Sequence, residues 1–203
     1  NNHWGVPLTL ARMPADTRYG IVEIGMNHAD EMRPLSKMVR PHAAIVTTVE
    51  AVHAEHFSSV EAIADAKGEI FEGLVPGGAA IIQADNPHAA RLSDIASRHG
   101  ARAMTFGFGS AAMVRGETLT VSDDGSHFSV VFGSRRIPVR LAMPGRHLAE
   151  NALAVFAAMD AIGADAAVGA AALATLEPPI GRGARTRLSI MGGEALLIDE
   201  SYN

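Results

Sequence analysis

The chain has 203 residues, 48% of them hydrophobic and 19% charged, which is enough to bury one sizeable core. A formal net charge of -5 supplies no basic field for nucleic acid or an anionic membrane, so any anion site has to be built locally. The lack of cysteine excludes disulfides, thiolate metal sites and a cysteine nucleophile and fits a cytoplasmic setting, and no apolar run approaches the roughly 20 residues of a membrane helix.

Asn1-Asn2-His3-Trp4 is not a signal peptide, and with Ser201-Tyr202-Asn203 at the other terminus both ends read as cut. From Tyr19 to Phe106 short apolar runs alternate with helical patterns, the βα rhythm of a mostly parallel sheet flanked by helices. Strands are expected over 21–24, 43–46, 79–82 and 103–106, and helices over 34–39, 60–74 and 88–99, the last opened by the turn Asp85-Asn86-Pro87. Alternating strands over 114–121, 127–132 and 137–141, with turns at Asp123-Asp124-Gly125-Ser126 and Gly133-Ser134, predict a small antiparallel excursion. Ala-rich helices over 147–162 and 166–176 end at Glu177-Pro178-Pro179. A hairpin over 187–191 and 195–198 turns at Gly192-Gly193. The expected fold is a single α/β domain over 1–203.

Lys67 is the most informative residue. It falls seven after Val60 and seven before Leu74, on the apolar stripe that Ile63, Ile70 and Phe71 share, so its stem turns toward the core. Two readings fit: a snorkelling lysine whose ammonium reaches water, or a functional amine kept partly neutral by desolvation and able to react with carbon dioxide. Glu23 interrupts Gly20-Ile21-Val22-Glu23-Ile24-Gly25 near the carboxyl end of an expected strand, where a carboxylate either binds a metal or substrate or sits on the solvated side of an edge strand. The stretch Val49 to His56 adds two imidazoles, His53 and His56, and two carboxylates, a polar surface alone but a metal-ligand set in combination with Glu23 and Lys67. Met143-Pro144-Gly145-Arg146-His147 opens a helix carrying Glu150 and Asn151, as an ordinary turn or a ligand-facing one. Gly181-Arg182-Gly183 is a basic loop where backbone and guanidinium can approach a phosphate, and Asp199 ends an apolar strand, the place for a ligand-binding carboxylate or a turn residue.

In this order the segments resemble the Mur ligase family, and within it the branch that adds D-alanyl-D-alanine. The resemblance runs through Asn1-Asn2-His3-Trp4-Gly5-Val6-Pro7, Ile21-Val22-Glu23-Ile24-Gly25-Met26-Asn27-His28, His53 with Ala66-Lys67-Gly68-Glu69, and Ala84-Asp85-Asn86-Pro87. It continues in Pro144-Gly145-Arg146-His147 with Asn151, Gly181-Arg182, and Asp199-Glu200-Ser201-Tyr202-Asn203. It implies the central, P-loop-like ATP-binding domain of an ATP-dependent carboxylate-amine ligase of peptidoglycan-precursor synthesis. Its partners would be UDP-N-acetylmuramoyl-tripeptide and D-alanyl-D-alanine, with an acyl phosphate as intermediate. By the same resemblance Glu23, His53 and a carbamate on Lys67 would hold Mg2+, Asn151 would face the adenine of ATP, Arg182 the phosphates and Asp199 the ribose, and Asn1 and Asn2 would lie near the acceptor. Two departures stand out: Leu148 occupies a place where the family has Asn, and no G-x-x-x-x-G-K-[ST] phosphate loop occurs. The chain alone is therefore expected to be inactive, with the partner domains outside it. A different acceptor, as in another Mur step or folylpolyglutamate synthesis, and a non-catalytic nucleotide-binding module are the competing readings.

Overall fold

A computed structural model of the chain describes residues 1–51 and 56–202. Helices α1 (Gly5–Arg12) and α2 (Met32–Val39) precede β1 (Ala43–Val46). Then α3 (Val60–Gly68), running into a 3₁₀ turn at Glu69–Gly73, leads to β2 (Ala79–Gln83), and α4 (Ala89–Arg98) leads to β3 (Arg102–Gly107). Three strands joined by hairpins follow, β4 (Val114–Ser122), β5 (Gly125–Phe132) and β6 (Arg135–Leu141). Helices α5 (Arg146–Ala161) and α6 (Ala166–Leu173) and a hairpin of β7 (Ala184–Ile190) and β8 (Gly193–Asp199) complete the chain.

Strands β1 to β6 form one sheet in sequence order, parallel from β1 to β4 and antiparallel from β4 to β6. Ala79, Ala80, Ile81 and Ile82 of β2 are all buried, and a strand apolar on both sides is stable only between two covering layers. The layers are α3 and α4 on one face, where Ala80 and Ile82 meet Ile63, Phe71 and Leu92, and α5 on the other, where Ala79 and Ile81 join Leu153 and Phe156. The alanines of α5 that face the sheet, Ala149, Ala152 and Ala157, are buried and let the helix lie close to the strands. Pro138 falls in β6, an edge strand whose free side needs no ladder donor, and Arg135, Arg136 and Arg140 guard that edge with charge.

The expected α/β architecture is present, with corrections in detail. The antiparallel excursion is part of the main sheet: Phe106 pairs with Val114, so β4 continues the parallel sheet before the chain turns back. The run 21–24 forms no strand. Ile21 is 94% exposed, and among the described residues the backbone tie of this stretch is Gly25 N–H donating to Asn1 O at 2.7 Å. A strand needs a neighbour to take its N–H and C=O groups, and this segment does not add to the free edge of β1. The expected helix over 60–74 is interrupted because the Ser36 hydroxyl donates to Ile70 O, the acceptor an unbroken α-helix would offer to Leu74, whose N–H goes to Phe71 O instead. Helix α1, which was not among the expected elements, accommodates a proline, Pro7. It falls in the first turn, where N–H groups have no intrahelical acceptor, and the fully buried Val6 anchors the helix. Among the described residues no helix is long and apolar enough to cross a membrane.

Candidate functional site

The loops leaving β1, β2 and β3 gather with the first turn of α5 at the carboxyl ends of the parallel strands, the usual ligand position of such sheets. Lys67, in the last turn of α3, sends its amine to this end of β1, where Nζ donates to Thr48 O at 2.8 Å. The amine is part-buried against a neutral carbonyl, and burial lowers its pKa below the ordinary lysine value, while the Glu50 carboxylate pulls the other way. The apolar stripe therefore placed this side chain correctly.

Thr48 and Val49 are held in turn from the end of β2. Asn86 Nδ2 donates to Val49 O at 3.0 Å and to Thr48 Oγ1 at 3.3 Å, while its Oδ1 accepts from His88 N at 2.9 Å and opens α4. The preceding residue, Asp85, faces the other way. Its carboxylate accepts from Phe108 N at 2.7 Å and Gly109 N at 2.9 Å, tying the loop after β3. A Cβ at Gly107, whose φ is +155°, would lie 2.5 Å from the Asp85 carboxylate, and one at Gly109 2.2 Å from it, so glycine is what permits this approach.

The first turn of α5 is fixed from below by the fully buried Ser126 of β5, whose hydroxyl donates to Met143 O at 3.2 Å and accepts from Gly145 N at 3.0 Å. Glu150 then accepts from Gln83 Nε2 at 3.3 Å and from Arg146 Nε at 3.0 Å, and the Arg146 guanidinium lies 4.7 Å from the centre of the Phe108 ring. Leu148 turns inward and packs against the core beneath α5, which leaves Asn151 exposed further along the helix.

The other sequence-derived candidates are only partly brought together. Glu23 lies on the unpaired 20–25 segment, its carboxylate 72% exposed and paired with the amino group of Asn1. His53 lies outside the described residues, so the Glu23, His53 and Lys67 constellation is seen at two of its members. Among the described residues no group of three His, Asp or Glu side chains is placed to hold a metal ion. His28 and His56 lie with ring centres 4.6 Å apart, and His28 Nδ1 is 3.2 Å from Glu31. Asn2 Oδ1 accepts from Trp4 N at 3.0 Å and Gly5 N at 3.3 Å, which opens α1. Arg182 and Asp199 do converge, at the open end of the β7–β8 hairpin. Asp199 O accepts from Gly183 N at 2.8 Å, and the Arg182 guanidinium stacks 4.1 Å from the Tyr202 ring. Hydrogen bonds from Ser201 hold the Asp199 carboxyl below the usual range. Among the described residues no hydrogen bond or ring contact joins this hairpin end to Asn151. Sequence reading missed the roles of Asp85 and Asn86. Their one local signal was an Asp-Asn-Pro turn, which says nothing of partners in other loops.

The pattern has matches among known proteins. Residues 1–159 fit the family model described as the Mur ligase middle domain. The chain is 36% identical over 206 residues to the UDP-N-acetylmuramoyl-tripeptide--D-alanyl-D-alanine ligase of Escherichia coli K12, an alignment covering 100% of this chain and 44% of that protein. A crystal structure of MurF from Acinetobacter baumannii superposes with a TM-score of 0.90 at 27% identity, covering 100% of this chain and 43% of that one. A MurF ligase from Thermotoga maritima in complex with ADP shares the fold at a TM-score of 0.65 and 22% identity, over 83% of this chain and 37% of that one. The chain thus spans less than half the length of the relatives it matches.

Proposed function

The chain belongs to the Mur ligase family, as its middle domain, and on that premise we propose that it serves the ATP-dependent joining of D-alanyl-D-alanine to UDP-N-acetylmuramoyl-tripeptide. The supporting observation is the part-buried Lys67 amine, held at the carboxyl ends of the parallel strands of a chain similar along its whole length to a ligase of that name. Because the chain spans 44% of that relative, the reaction is assigned to the full-length protein and not to this segment alone.

In this reading the γ-phosphoryl group of ATP passes to the terminal carboxylate of the tripeptide. The amine of D-alanyl-D-alanine then attacks the acyl phosphate, forming the amide and releasing phosphate. The ADP held by the Thermotoga maritima relative supports the nucleotide assignment. By the family resemblance Arg182 would bind the phosphates, Asp199 the ribose and Asn151 the adenine, while Asn1 and Asn2 would serve the acceptor. The lowered pKa of Lys67 leaves a larger share of neutral amine. Its lone pair can form a bond to the carbon of carbon dioxide, and the displaced proton goes to water.

Magnesium binds through few protein ligands, one or two of them carboxylates, and completes its shell with phosphate oxygens and water. The exposed Glu23 carboxylate fits that demand, and His53 and a carbamate on Lys67 would complete the protein's share. When bound, the ion neutralises charge on the phosphoryl oxygens. The site would work in the cytoplasm, where ATP and the nucleotide-linked precursor are found together.

The test is phosphate release by the full-length protein supplied with ATP, the nucleotide tripeptide and the dipeptide. Release that needs both substrates is expected. Release indifferent to the dipeptide, or driven equally well by a single amino acid, would remove the acceptor assignment.

A further inference from the structure

Among the described residues Asn86 is the one side chain that ties the end of β2 to the backbone on which the Lys67 amine rests. We propose that Asn86 is a positioning residue for the ligase reaction, holding the Thr48–Val49 backbone so that Lys67 is presented to the site at a fixed place. The proposal rests on the reading of Lys67 given above.

Three contacts carry it. Lys67 Nζ donates to Thr48 O at 2.8 Å, so the carbonyl of that residue sets where the amine sits. Asn86 Nδ2 donates to Val49 O at 3.0 Å and Thr48 Oγ1 at 3.3 Å, gripping the same two residues from the neighbouring strand. Asn86 Oδ1 accepts from His88 N at 2.9 Å, which fixes the amide so that the NH2 group, not the oxygen, faces Val49. No other residue type of this size donates on one side and accepts on the other. Aspartate would keep the His88 contact and place an oxygen against the Val49 carbonyl. The adjacent Asp85 supplies an internal contrast, because it shares the turn but grips only the loop after β3.

The experiment uses full-length protein carrying Asn86→Ala, Asn86→Asp or Asp85→Ala, each checked for a cooperative melt. Two readouts are taken: steady-state kinetics, and trace acetylation by acetic anhydride at fixed pH, scored by mass spectrometry as the ratio of Lys67 to Lys37, this chain's other lysine. Both Asn86 variants are expected to lose roughly tenfold or more in kcat. The KM for ATP should stay within about twofold, because the amine is displaced and nucleotide binding is not. The labelling ratio should rise several-fold as the loop frees the amine, while in Asp85→Ala it stays at the parent's value. An unchanged ratio in Asn86→Ala with lowered turnover overturns the positioning role alone. A raised ratio with unchanged turnover overturns the reading of Lys67 as a working amine, and the proposal with it. An equal rise in Asp85→Ala overturns it too, since the turn would then act only as a structural unit. If Asn86→Ala fails to fold, the nearly isosteric Asn86→Asp decides.

Discussion

Lys67 is tied to two expectations, one about turnover and one about stability. In the full-length protein Lys67→Ala should lower turnover by roughly a hundredfold or more, the loss usual for a well-placed electrostatic group. A short-chain carboxylic acid should restore part of it by replacing the missing anionic ligand, and unchanged turnover would refute the role. The stability effect follows from the lowered pKa. Folded Lys67 releases its proton below the unfolded value of about 10.4, so between the two the unfolded chain binds more protons and stability rises with pH. Burial of the charged amine therefore costs stability near neutrality, and the cost fades as the pH climbs toward that unfolded value. Without nucleotide, Lys67→Met should melt above the parent at pH 7 and lose that advantage near pH 10, as read by paired thermal melts. Lys67 was legible in sequence because its signal is local, a position on a helical stripe. Asn86 was not, because its partners Val49 and Thr48 lie 37 and 38 residues away, and no spacing rule reaches that far.

Between elements, α2 and the 3₁₀ turn at Glu69–Gly73 are joined by an unusually close approach. A Cβ at Gly73 would fall 2.2 Å from the backbone carbon and oxygen of Ser36. Gly73→Ala should therefore cost about 1–3 kcal/mol, as overpacking does, and a urea titration with an unchanged midpoint would contradict this. Glu69 reinforces the junction. Its buried carboxylate accepts from Asp30 N at 2.7 Å and Arg33 N at 3.3 Å, capping a helix whose own N-cap residue makes no side-chain capping bond. Elements that declare themselves by pattern were legible: β1 over 43–46 has the expected bounds, and β2 reads as an apolar run because both its faces are covered. The run 21–24 is, like β1, a short mostly apolar stretch, but it has no ladder partner, and pairing is a property of two segments, not one. The 3₁₀ turn was hidden for a similar reason, since the hydroxyl that breaks the helix comes from Ser36.

At the scale of the molecule, cohesion is uneven. The core between β2, β3 and α5 contains Phe106, Leu153 and Phe156, all fully buried, whereas Met191 at the tip of the β7–β8 hairpin is fully exposed. That hairpin is tied to the body through Arg185, which reaches the Asp123 carboxylate at 3.5 Å, an exposed contact of small value. Limited thermolysin digestion should cut first within 184–199 and 14–25 and leave 79–173 intact. An early cut inside that core, mapped by mass spectrometry, would contradict the picture.

The hydrogen bonds that build the site span 19 residues from Lys67 to Thr48, 37 from Asn86 to Val49 and 67 from Gln83 to Glu150. The β4, β5 and β6 hairpins reach no further than from Arg115 to Val131. Loop-closure entropy makes distant contacts late ones, so a chain refolding from denaturant can zip its antiparallel ribbon before Gln83 and Glu150, 67 residues apart, have met. The end of the sheet that carries the candidate site would then be completed after the ribbon beside it. Its integrity is a sensor of completed folding in a way that secondary-structure content is not.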